Sequence, residues 1–111
     1  MRISIVIPTL NNINYLKIVL ESIKKNSNYE HEIIVHVNEN KDNTLDYLKS
    51  SNIKHTFSEE NLGLCSSVNK ASKLVTTQYI LYAHDDMYFL PEWDKVIEIE
   101  LSKLDNQKFY L

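Results

Sequence analysis

Apolar positions along this chain follow two alternating rhythms. Residues 3–7 are a β-branched run with Ser4 as its one polar residue. That is the pattern of a buried strand, and Pro8 is expected to close it. After the polar segment Thr9-Leu-Asn-Asn12 the spacing lengthens. Ile13, Leu16, Val19, Leu20 and Ile23 then fall on one face of a helix. Asn11 or Asn12 is placed to cap that helix, and Lys24 and Lys25 suit its negative end. Asn26-Ser-Asn28 breaks it.

The rhythms then repeat. Residues 32–37 predict a second strand and residues 38–43 a loop of turn formers. Leu45 and Leu48 mark a short helix, with Asp42, Asn43 or Thr44 as its cap. Residues 53–57 read as a third strand, less apolar and so near a sheet edge. After a turn at 59–63, Leu64, Val68, Ala71 and Val75 recur at helical spacing. Tyr79-Ile-Leu-Tyr82 is too short an apolar run for a helix and rich in β-formers, so it predicts a fourth strand. Pro91 suits the first turn of a last helix. Its buried stripe should be Trp93, Val96, Ile97 and Leu101, continued by Leu104. Residues 108–111 look like the first residues of another strand.

Strand and helix alternating in this way predict an α/β fold in one domain over residues 1–111: a mainly parallel sheet with right-handed crossovers and helices on both faces. Ligands of such sheets bind beyond the carboxyl ends of the strands. Three polar segments fall there, 9–12, 38–44 and 84–86, and their convergence is what singles them out; each alone would be an ordinary loop.

Composition narrows the function. The 111 residues suit one modest core, and 43% of them are hydrophobic. Net charge is −3 with the signs interspersed, which argues against a nucleic-acid partner. The single cysteine, Cys65, has no internal disulfide partner and reads as a small packing residue. No apolar run is long enough for a transmembrane segment, and Met1 leads almost directly into a strand, so a cytoplasmic location is the default. Gly63 is the only glycine. No Gly-rich phosphate loop is possible, so any phosphate must be held by metal, side chains or isolated backbone amides.

The chemistry concentrates in His84-Asp85-Asp86, directly after the fourth strand. Adjacent carboxylates repel, and burying either alone is costly. A strand end of this kind is stable open to water, as a solvated turn, or under a cation. Mg²⁺ and Mn²⁺ prefer oxygen ligands and complete their shells with a substrate's phosphates.

Five segments in order carry a resemblance: Ser4-Ile-Val-Ile-Pro-Thr-Leu-Asn11; Glu32-Ile-Ile-Val35 with Asp42-Asn-Thr44; Asn61-Leu-Gly63 with Asn69; Tyr79-Ile-Leu-Tyr-Ala-His-Asp-Asp86; and Pro91-Glu-Trp93. Together they resemble the amino-terminal, nucleotide-sugar-binding half of a family 2 glycosyltransferase, with its Rossmann-like GT-A fold (the nucleotide-diphospho-sugar transferase fold). The resemblance implies transfer of a sugar from a nucleotide diphosphate sugar, most readily a UDP-sugar, to the hydroxyl of an acceptor glycan or glycolipid, with inversion. The setting it implies is bacterial surface-polysaccharide or glycolipid assembly, in the cytoplasm or peripheral to the inner membrane face. By the same resemblance Asp86 is the ligand of Mn²⁺ or Mg²⁺, His84 a second ligand or a phosphate donor, and Asp85 the group facing the ribose. Pro8, Thr9 and Asn11 match the segment meeting base and ribose, and Asn69 faces the site. Where the family has a base-reading aspartate, Val37 stands here. The next residue, Asn38, has the donor and acceptor to pair with a uracil edge.

The family's acceptor-binding half and catalytic base lie beyond the last helix. The chain is therefore expected to be truncated before that half, inactive by itself, and prone to self-association through the exposed sheet edge. The competing reading is a non-catalytic nucleotide-sugar-binding or scaffold domain of the same fold.

Overall fold

The computed structural model describes residues 1–103. The eight elements are β1 (Ile3–Leu10), α1 (Ile13–Asn26), β2 (Glu32–Asn38), α2 (Thr44–Ser50), β3 (Lys54–Ser58), α3 (Leu64–Ser72), β4 (Tyr79–Tyr82) and α4 (Trp93–Ser102). The strands form one sheet in the order β3-β2-β1-β4, parallel throughout. The α/β alternation is as the sequence predicts, with β3 at an edge. Leu104 and residues 108–111 lie outside the described residues.

Side-chain alternation along the strands divides the core in two. Odd-numbered Ile5, Ile7, Val35 and Val37 face Leu16, Val19, Leu20 and Ile23 of α1, with Leu48 of α2 and Phe89. Even-numbered Val6 and Ile34 face Ala71 of α3, flanked by Val68 and Val75. Helices thus cover both faces.

Pro8 does not end β1; the strand runs two residues further. The reason is geometric. Val6 presents its carbonyl to Ala83 on the β4 side, so Pro8, two residues on, turns its missing N–H to that side too. There β4 has already ended, its register with β1 stopping at Val6↔Tyr82, and no ladder donor is lost. β1 meanwhile stays paired with β2 as far as Leu10↔Asn38.

α4 departs from the expected stripe. Val96 is 57% exposed, and the fully buried member of the helix is Asp94. Its carboxylate accepts from the main-chain N–H of Asn28 at 2.8 Å and of Tyr29 at 2.9 Å, from Asn28 Nδ2 at 3.0 Å, and from His31 Nε2 at 2.9 Å. His31 Nδ1 accepts from Ile3 N–H, which leaves Nε2 as the ring's donor. One carboxylate therefore pins α4 to the α1–β2 connection and, through His31, to the start of β1. Trp93 packs beside it against Phe89 and His31.

Candidate functional site

The carboxyl ends of the strands form a polar rim. Thr9, buried near the end of β1, donates its hydroxyl to Asp85 Oδ2 at 2.8 Å, across 76 residues of sequence. Its main-chain carbonyl accepts from Asn38 Nδ2 at 3.3 Å, at the end of β2. Asn38 Oδ1 accepts from the Leu62 N–H at 2.9 Å, in the loop between β3 and α3. Four connections are thereby drawn together around a cleft of about 300 Å³, lined among others by Pro8, Thr9, Asn61, Ser67 and Asp85.

Of the residues singled out in the sequence, Pro8, Thr9, Asn38, His84 and Asp85 line this cleft. Asp86 stands exposed in the same turn as Asp85, beyond the lining residues. Its charge is nonetheless felt nearby. The Tyr82 phenol, a cleft residue, is pushed above its ordinary value by burial, then by Asp85, Cys65 and Asp86. His84 is exposed, its ring edge-on to Tyr82 with Nδ1 3.3 Å from the phenol oxygen. Cys65 is exposed as well, so it is not the packing residue expected.

Three expectations change. Asn69 is exposed on α3 two positions after Ser67. Two positions are about 200° around a helix, so with Ser67 on the cleft, Asn69 is turned away from it. Asn11 adopts a left-handed backbone with φ 47° and works as a brace beside the rim. Its Oδ1 accepts from Lys41 N–H at 2.9 Å, and its Nδ2 donates to Glu39 at 3.3 Å. Asn38 is buried, and its amide is engaged by the protein: Nδ2 with Thr9 O and Ser67 Oγ, and Oδ1 with Leu62 N–H, Ser58 and Ser67. As it stands, that amide has no free face for a base edge, and it joins the walls of the cleft instead.

The helix caps are redistributed too. Asn12 takes the N-cap position of α1, but its side chain makes no cap bond; instead Asp42, from the β2–α2 loop, accepts the Ile13 N–H at 2.8 Å while receiving the Thr44 hydroxyl at 2.6 Å. Asn40 takes over at α2, accepting from Leu45 N–H at 3.0 Å. A carboxylate at the head of α1 has a direct consequence. The helix following the first strand is closed to phosphate, unlike the arrangement in dinucleotide-binding sheets. By contrast α3 begins at the cleft wall, with Gly63 at φ 78° and neither a side-chain cap nor an acidic residue in its first turn. Asn61, Gly63 and Tyr82 stand in the resembling segments, but the sequence pattern gives them no place in the site. Ser67 carries no mark in the sequence; the available signal was the lone glycine, sitting where only glycine turns without strain.

The donor set bears on a metal. Among the described residues no group of three His, Cys, Asp or Glu side chains is placed to hold an ion. The rim instead offers two neighbouring carboxylates, one braced by Thr9 and one open to water. This fits an ion that takes most of its shell from substrate oxygens and water, the habit of Mg²⁺ and Mn²⁺, rather than one caged by protein.

A larger groove, about 830 Å³, lies near the opposite ends of the strands among Arg2, Lys24, Tyr29, His31, Tyr47 and Ile53. Size does not make it the site: its charges are mixed and none of the gathered rim residues reaches it.

Residues 4–105 match the family described as Glycosyl transferase family 2. An uncharacterized glycosyltransferase of Rickettsia typhi is 34% identical over 107 residues, an alignment covering 95% of this chain and 33% of the relative. Another, from Rickettsia conorii, is 33% identical over 112 residues, covering 95% and 18%. The chain thus spans about a third or less of the length of these curated relatives. Among solved structures, S. aureus TarS 1-349 in complex with UDP-GlcNAc superimposes with a TM-score of 0.81 at 22% identity, covering 100% of this chain and 37% of TarS 1-349. Its complex with UDP gives 0.82 at 22% identity, covering 100% and 38%. At that identity the likeness establishes the fold.

Proposed function

The chain belongs to glycosyl transferase family 2, and from that premise we propose that its rim cleft receives a nucleotide diphosphate sugar as the donor for transfer to an acceptor hydroxyl. The observation that carries the proposal is the Thr9–Asp85 hydrogen bond. It joins the ends of β1 and β4 at the point where parallel sheets take their ligands.

A UDP-sugar is the favoured donor, since TarS, which shares the fold, has been solved with UDP-GlcNAc and with UDP. Asp85 is held half-buried with one oxygen on Thr9, leaving its other lone pairs for ribose hydroxyls. Asp86 and His84 are the residues to hold a divalent ion together with diphosphate oxygens. When bound, such an ion supplies Lewis-acid stabilisation of the charge growing on the nucleoside diphosphate leaving group. The uncapped start of α3 adds a partial positive charge on the same side of the cleft. The acceptor class is a glycan or glycolipid, and the stereochemical course is inversion, both carried by family membership. Among the described residues no helix is long and apolar enough to cross a membrane.

Calorimetry tests this reading. UDP should bind more tightly with Mn²⁺ than without, and more tightly than GDP. Asp86→Ala should abolish the Mn²⁺ dependence, and Asp85→Ala should weaken binding of UDP about tenfold or more, the loss of a charge-assisted hydrogen bond. Absence of binding by every nucleoside diphosphate, with and without metal, would defeat it. Metal-independent binding that ignores Asp86 would favour a non-catalytic sugar-nucleotide-binding domain.

A further inference from the structure

We propose that His36, buried in β2 beneath the cleft and not among its lining residues, is a positioning residue: through Ser58 it sets the β3–α3 loop that walls the cleft, and so governs how tightly a nucleoside diphosphate is held. This rests on the donor-site reading above.

His36 is fully buried in a strand whose neighbouring residues are aliphatic: Ile34, Val35 and Val37. An imidazole there is tolerated because both nitrogens are bonded, Nδ1 to Thr56 Oγ1 at 2.6 Å and Nε2 to Ser58 Oγ at 3.0 Å. Burial, and then the positive charge of Lys70, hold its pKa below the ordinary value. Lys70 approaches from α3, its Nζ donating to the Phe57 carbonyl at 2.8 Å. The ring is therefore neutral at pH 7, with one N–H to give.

The direction of that N–H follows from Ser58. Its single hydroxyl proton serves two acceptors, the Glu60 carbonyl at 2.7 Å and Asn38 Oδ1 at 3.2 Å. Ser58 Oγ is thus left to accept, so Nε2 carries the imidazole proton and the Thr56 hydroxyl donates to Nδ1. The hydrogen bonds all point one way: Thr56 to His36, His36 to Ser58, Ser58 to Glu60 and Asn38. Glu60 belongs to the loop, and Asn38 holds the Leu62 N–H of the same loop at 2.9 Å. Between and beyond them stand Asn61 and Gly63, which line the cleft. An aliphatic residue at position 36 would fill the volume but take away the N–H that holds Ser58 Oγ in place.

The experiment combines UDP affinity by calorimetry with amide hydrogen exchange at Leu62. The variants are Ser58→Ala, His36→Leu and His36→Gln. Ser58→Ala and His36→Leu should each weaken UDP binding about three- to tenfold, the range for one hydrogen bond, and speed exchange at Leu62. His36→Gln, which keeps a donor toward Ser58, should return both toward wild type. Unchanged Leu62 exchange in Ser58→Ala, or His36→Leu matching His36→Gln, would overturn the proposal. Should the His36 variants fail to fold, Thr56→Val takes their place: it removes the hydroxyl that fixes the His36 tautomer and should speed exchange at Leu62, and unchanged exchange would overturn the proposal. Should the wild-type protein bind no UDP, the donor-site reading falls, and Leu62 exchange still decides whether His36 positions the loop.

Discussion

At the scale of single residues, the buried carboxylates carry a measurable signature. Burial alone would raise the pKa of Asp94, but hydrogen bonds from His31, Asn28 and the main chain outweigh it and hold it at about 2. Glu32 behaves likewise: burial raises it, while Lys54, Ser4 and Thr76 bring it down to about 2. Both are therefore depressed in the folded state. The unfolded chain takes up these protons first as pH falls, so the stability they confer is complete above the ordinary carboxylate range and is lost on the way down to pH 2. Thermal melts should show an acid limb between about pH 4.5 and pH 2. Asp94→Ala should cost about 3 kcal/mol or more at pH 7, since donors from the α1–β2 connection lose their partner, and should flatten that limb. An acid limb identical to wild type would contradict the assignment. None of this was legible in the sequence. Asp94 lies outside the apolar stripe of its helix, and only the approach of Asn28, Tyr29 and His31 from 63 to 66 residues away makes it a core residue.

At the scale of elements, periodicity located every strand and helix of the described residues but not what fastens their ends. The helical stripe of α1 is as read, with Leu16, Val19, Leu20 and Ile23 buried. Its cap is not, because Asp42 comes from another loop, and local sequence offers only the neighbouring asparagines. The same loop explains why Asp42 and Thr44 act as a pair: Thr44 is fully buried and steadies the carboxylate that closes α1. Asp42→Ala should thus destabilise the fold by about 1–2 kcal/mol, the worth of a strong cap, and hydrogen exchange should quicken in the first turn of α1 rather than of α2. Faster exchange confined to α2 would return Asp42 to the role read from sequence. On α4 the failure has a different origin. Val96 is apolar and correctly spaced, yet it is more than half exposed, while Trp93, Ile97 and Leu101 of the same stripe are only half-buried. Spacing reports a stripe and cannot report what covers it.

At the scale of the whole molecule, the order of elements was enough to place three loops at one end of a parallel sheet, and Thr9, His84 and Asp85 do meet there. What sequence could not supply was orientation. Asn38 points inward and holds the cleft together, while Asn69 lies around the back of its helix. Among the described residues stand both a small rim cleft with gathered carboxylates and a larger groove with mixed charge near the far end. Chemistry, not volume, decides between them. The direct test is to titrate UDP with Mn²⁺ into the isotopically labelled protein and map the amide shifts by NMR. A donor site at the rim predicts shifts at Thr9, Leu10, Asn61, Gly63, His84 and Asp85, with Arg2, Asn28, Tyr29 and His31 unmoved. Shifts gathered at those last four, or none anywhere, would contradict it.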